Sequence, residues 1–110
     1  MFNLEHGALK VWSERDEITG LVVNDILIDS PTFSGIELNG SYPITSASFE
    51  NIEITNAGTD GIYLSSTLSG DASFSSVVVS DSAKNAFLNY SPKLKFSINF
   101  GDGNIGWQFP

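Results

Sequence analysis

Two groups of carboxylates stand at spacings that would bring them together in a repeating fold: Glu37 with Asp60, and Glu50 and Glu53 against Asp25 or Asp29. Glycoside hydrolysis needs two carboxyl groups across one bond, one to protonate the leaving oxygen and one to act as base or nucleophile, roughly 5 to 9 Å apart according to mechanism. Neighbouring strands in a stack lie about 4.8 Å apart, so acids on adjacent coils meet that range. The same side chains equally suit a solvated outer face, since thirteen acids on a small surface become neighbours by chance. No catalytic residue is assigned from the sequence.

Other chemistries have fewer parts to work with. His6 is the single histidine, so a Ser-His-Asp set must be built through it, and without cysteine or a second histidine a transition-metal site has no ligand set. The run GDGN at residues 101–104 resembles a piece of a calcium loop but lacks the alternating acids and final glutamate, and reads as a turn. NGS at 39–41 and NYS at 89–91 fit the glycosylation acceptor pattern, which is frequent by chance. No cofactor and no metal is expected. A net charge of −8 repels phosphate backbones and anionic membrane surfaces, which argues against nucleic acid or membrane as partner. Charges at Glu5, Lys10, Glu14, Arg15, Asp16 and Glu17 leave no signal peptide or membrane span near the start. Any export signal is expected to lie upstream or to have been removed.

The element that must position these residues is a repeat. VNDILIDSPTFSGIEL from Val23, FENIEITNAGTDGIYL from Phe49 and FSSVVVSDSAKNAFL from Phe74 align at spacings of 26 and then 25 residues, with one residue lost before Asn85. Val23, Ile26 and Ile28 share columns with Phe49, Ile52 and Ile54 and with Phe74, Val77 and Val79, which is strand alternation returning at a fixed period. Asp25, Asn51 and Ser76 fall at one bend and Ser30, Asn56 and Asp81 at another, residue types that tolerate left-handed backbone. Gly35 and Gly61 fall at a third bend, with Asn85 in the place of glycine. Three bends predict a three-sided coil with three short strands, the third running through Ala47 or Ala72. The fold class is therefore all-β, a right-handed parallel β-helix of about four coils of roughly 25 residues. A two-sheet sandwich does not account for the recurring columns.

The whole chain, 1–110, reads as a single domain: a degraded first coil at 1–19, three repeat coils at 20–95, and a terminal strand and cap at 96–110. HGALKVW at 6–12 resembles the GIEL strand, FSINF at 96–100 supplies a further strand, and Trp107 and Phe109 are expected as lids over the core. The first coil would present unpaired backbone groups and an uncovered apolar interior, so either further coils lie upstream or the chain associates with itself there.

In the strand after the glycine corner, Ile36 and Leu38, Ile62 and Leu64, and Ala86 and Leu88 take the inward places, leaving Glu37, Tyr63 and Phe87 outward. Aromatic rings on a flat outer face, beside Glu37 and Asp60 as acceptors for hydroxyl groups, make these four residues the candidate carbohydrate contacts. Stacking of good strand residues on one another would produce the same column without a ligand.

The run NIEITNAGTDGIYLSSTLSGDASFSSVVVSDSAKNAFLN followed by INFGDGNIGW resembles the last coils of bacterial β-helical glycoside hydrolases of the mycodextranase and α-1,3-glucanase type, with a pectate-lyase-like fold, over roughly residues 19–107. The resemblance implies a secreted, extracellular enzyme acting on glucan, its catalytic carboxylates on coils nearer the middle of a longer β-helix. It implies that this chain is the C-terminal segment, not catalytic alone. A free-standing solenoid that binds polysaccharide, and a structural solenoid that self-associates through its open N-terminal coil, are the other readings.

Overall fold

The computed structural model describes residues 2–5, 7–92 and 95–106. Ten strands follow one another: β1 (Phe2–Glu5), β2 (Leu9–Ser13), β3 (Ile18–Thr19), β4 (Val22–Asp29), β5 (Ile36–Gly40), β6 (Ile44–Thr55), β7 (Ile62–Leu64), β8 (Gly70–Ser80), β9 (Phe87–Asn89) and β10 (Phe96–Phe100). All pairings are parallel among the described residues. One sheet stacks β1, β4, β6, β8 and β10, with β3 also on β6, and the other stacks β2, β5, β7 and β9. The chain winds between the two sheets once per coil as a right-handed parallel β-helix.

The expected columns stand in register. Val23 pairs with Phe49 and Phe49 with Phe74; Ile26, Ile52 and Val77 form a second file, and Ile28, Ile54 and Val79 a third. All seven non-glycine residues with positive φ among the described residues are short and polar, and six of them are the two aligned bends: Asp25, Asn51 and Ser76, and Ser30, Asn56 and Asp81, with φ between 53° and 58°. A left-handed residue turns the chain sharply without breaking the ladder, whose register is the same on both sides of Asn51. Two strands expected to be separate therefore run together as the long, bent β6 and β8.

Two details differ from the sequence expectation. No residue is lost before Asn85: Ile62 pairs with Phe87, so Ala86 occupies the column of Gly35 and Gly61, and Asn85 that of Asp60. The change of period lies earlier, at a bulge where Ile44 pairs with Gly70 but Ala47 with Ala72; the seventh positive-φ residue, Ser46 (φ 54°), sits there. Nor do Gly35 and Gly61 supply left-handed backbone, since neither has a positive φ. They are small because the coils touch. A Cβ on Gly35 would lie 2.7 Å from Ile54 Cγ2 and 2.9 Å from the Gly61 carbonyl oxygen.

The interior is a stack of apolar layers. Phe49 and Phe74 lie ring on ring at 4.9 Å, Phe100 continues beyond Phe74 at 6.3 Å, and Phe87 meets Phe74 and Phe100 edge-on at 5.8 and 5.6 Å. Aromatic pairs of this kind add about 0.5–1.5 kcal/mol beyond the burial of their area. The segment after β10 continues the stack: the Asn104 side chain accepts from Val77 N–H and donates to the Phe74 and Gly101 carbonyls, and Ile105 bridges Val78. GDGN is thus a turn, with Gly103 at φ 82°. His6, Trp107 and Phe109 lie outside the described residues.

Candidate functional site

The outer face of the β2–β5–β7–β9 sheet carries the candidate residues. Each outward position is set by the pleat: Ile36 and Leu38 are fully buried on one side of β5, so Glu37 between them must point out. Register places Lys10, Glu37, Tyr63 and Leu88 in one outward column. Phe87 is not in it. It pairs with Ile62, is fully buried, and belongs to the aromatic core, because the unbroken 25-residue step shifts the last coil by one position relative to the expected alignment. A one-residue slip moves a side chain to the opposite face of a strand. The outward place falls to Leu88.

Glu37, Asp60 and Tyr63 do come together. With Phe33, Leu88 and Tyr90 they line a shallow depression of about 430 Å³. Asp60 is 5% exposed, and its Oδ1 accepts from both Asn85 N–H and Asn85 Nδ2, at 3.1 and 3.2 Å. This carboxylate ties one coil to the next as well as lining the depression. Tyr63 lies in edge contact with Tyr90, ring centroids 5.9 Å apart. Burial first, then electrostatic repulsion from Glu37, Tyr90 and Asp60, holds the Tyr63 phenol above its ordinary value, so at neutral pH it is a hydroxyl donor.

Among the described residues three further aromatics stand on this side: Phe33 inside the first aligned copy, and Trp12 and Tyr90 outside the aligned blocks. Trp12, 52% exposed, donates Nε1–H to Glu37 Oε2 at 2.9 Å, and the Lys10 ammonium lies 5.7 Å from the centre of its ring. Phe33 and Tyr90 are 65% and 57% exposed. Trp12 lies in the degraded coil and Tyr90 beyond the aligned block, so only their position two residues along the strand from Lys10 and Leu88 could have signalled them.

The second group of acids is more dispersed. Glu50 and Asp25 line another depression with Asn24, Asn51 and Ser76, where Asn51 Nδ2 donates to Asp25 Oδ1. Asp29 Oδ1 accepts from Ser30 Oγ at 3.0 Å and Thr55 Oγ1 at 2.8 Å, which makes it a coil-to-coil strut. Glu53 is exposed and stands opposite Leu27 and Val78. No group of three or more His, Cys, Asp or Glu able to hold a metal occurs among the described residues.

No family model matches the sequence, and no curated protein matches it. The fold is similar to that of the catalytic unit of a thermostable GH87 α-1,3-glucanase from Streptomyces thermodiastaticus strain HF3-3, with a TM-score of 0.83 and 22% sequence identity over 93% of this chain. The chain spans 20% of that structure's length. At this identity the likeness establishes the β-helical fold, the one expected from the sequence.

Proposed function

We propose that this chain is a β-helix segment of an extracellular, α-glucan hydrolase-like protein, and that its role is to hold glycan, not to cleave it alone. The observation that carries this reading is the fold shared with the α-1,3-glucanase catalytic unit. The depression shared by Glu37, Asp60 and Tyr63 supports it, since it pairs an aromatic surface with acceptors suited to sugar hydroxyls. The secreted location rests on the same likeness.

Co-sedimentation with insoluble α-1,3-glucan tests it. The wild-type chain is expected to be retained, Tyr63→Ala to be retained less, and no reducing ends to be released. Failure to bind any neutral glucan, or release of sugar by this chain, would overturn the reading.

A second reading is stacking of another coil, or of a second copy, on the β1–β2 edge. It is favoured by Leu4, Leu9, Val11, Ile18, Leu21 and Ile26, which pack on the core yet stay only partly buried. A concentration series of solution mass distinguishes a self-associating chain from a monomer.

A further inference from the structure

Trp12 and Tyr90 stand at opposite ends of a single outward column. Trp12 pairs with Asn39; Leu38 pairs with Leu64 and Leu64 with Asn89, so Ser65 follows Asn39 and Tyr90 follows Ser65. The Tyr90 and Ser65 amides, bonded to the Leu64 and Leu38 carbonyls, continue those ladders. The column therefore reads large, small, small, large along the solenoid axis. At about 4.8 Å per coil its ends are roughly 14 Å apart at the backbone. Both end rings lean inward: Trp12 toward Glu37 on the second coil, and Tyr90 toward Tyr63 on the third. Between the two rings stand the shorter Asn39 and Ser65 side chains, Ser65 with only 6% exposed and its hydroxyl 3.2 Å from Thr67 Oγ1, and Glu37 and Tyr63 are register partners in the neighbouring column.

We propose that this stretch of the outer face takes a neutral polysaccharide lying parallel to the solenoid axis, with one sugar ring against Trp12, another against Tyr90, and hydroxyls between them meeting Glu37 and Tyr63. A chain lying along a strand would reach only one of the two rings. The net charge of −8 disfavours uronate, sulfate or phosphate polymers, and at the face itself the carboxylates of Glu37 and Asp60 stand against the ammonium groups of Lys10 and Lys84. Trp12 is a prepared platform, because its indole is held by Glu37 and flanked by Lys10, so little side-chain freedom is lost on stacking. The proposal rests on the glycan-holding reading above and adds the direction and the two end contacts.

The test is calorimetric titration of the full chain with α-1,3-linked glucose oligosaccharides from disaccharide to hexasaccharide, alongside other neutral glucans and polygalacturonate. Affinity is expected to rise with length until both rings are spanned and then to level. Trp12→Ala and Tyr90→Ala are each expected to weaken the longer ligands about tenfold and to abolish the length dependence. Both rings are exposed, and unchanged denaturation midpoints would show that the fold is kept. Affinity already complete at the disaccharide, weakening by only one of the two variants, or tighter binding of polygalacturonate would overturn the proposal. Binding lost in Tyr63→Ala but untouched in Trp12→Ala and Tyr90→Ala would overturn it while leaving the broader reading intact. Absence of binding to every neutral glucan overturns both.

Discussion

The indole N–H of Trp12 reaches across one coil to the Glu37 carboxylate, 2.9 Å away, so a residue of the first coil is oriented by one of the second. Removing the acceptor should release the ring. In a Trp107→Phe background, Glu37→Ala is expected to lower the fluorescence anisotropy of Trp12, whereas Glu37→Gln, which retains a carbonyl acceptor, should change it little. Equal anisotropy in both variants would show that the bond does not hold the ring.

Tyr63, raised first by burial and then by the charge of Glu37, should ionise above its ordinary pKa of 10.0, and Glu37→Gln should lower it only part of the way; ultraviolet difference titration reads both. The sign for stability follows. The folded chain holds this proton more tightly than the unfolded chain, so the contribution is complete below the ordinary phenol range and is lost as pH climbs through the raised value. Tyr63→Phe is accordingly expected to flatten the alkaline fall in denaturation midpoint.

Asp60 joins the second repeat coil to the third through two bonds from Asn85. Asp60→Ala leaves the Asn85 backbone N–H without that acceptor and should cost about 1–3 kcal/mol. Asp60→Asn can turn its carbonyl to the same N–H and should cost less. Urea unfolding of the two variants separates these outcomes.

Close contact between coils predicts a large effect from a small change at Gly61. A Cβ there would sit 2.4 Å from Val79 Cγ1 and 2.5 Å from the Ala86 carbonyl oxygen, so Gly61→Ala should destabilise by about 1–3 kcal/mol. Gly7→Ala, with nothing within 4 Å of the added carbon, should leave the unfolding midpoint nearly unchanged.

Phe74 touches Phe49, Phe87 and Phe100 at the centre of the aromatic stack. Phe74→Ala should cost about 3–5 kcal/mol by the same measurement, more than truncating any exposed aromatic of the outer face.

The fold was legible in the sequence where side-chain type reports backbone geometry. Asp25, Asn51 and Ser76 disclosed a bend because few residue types accept positive φ, and Ile28, Ile54 and Val79 disclosed a column because a dry interior admits only apolar groups. Gly35 and Gly61 marked a real corner for a different reason, close approach in place of left-handed backbone. Residue type is ambiguous at the third corner: Asn85 resembles a glycine substitute, but Ala86 holds the glycine column, which makes Phe87 a core residue and not an outward one. The candidate face was legible in Glu37, Asp60 and Tyr63, which the structure brings together, but not in Trp12 or Tyr90. Those two lie where the repeat pattern fades, and hydrogen bonding between coils places them.

The bulge at Ser46 absorbs a one-residue change of period between successive coils, while the files on either side of it stay aligned. That vertex works as an expansion joint: residues can be added or removed there during evolution without rotating the inward side chains downstream. Related chains should accordingly vary in length at this corner and stay constant in length between Phe49 and Leu64, where every step is tied to the neighbouring coil.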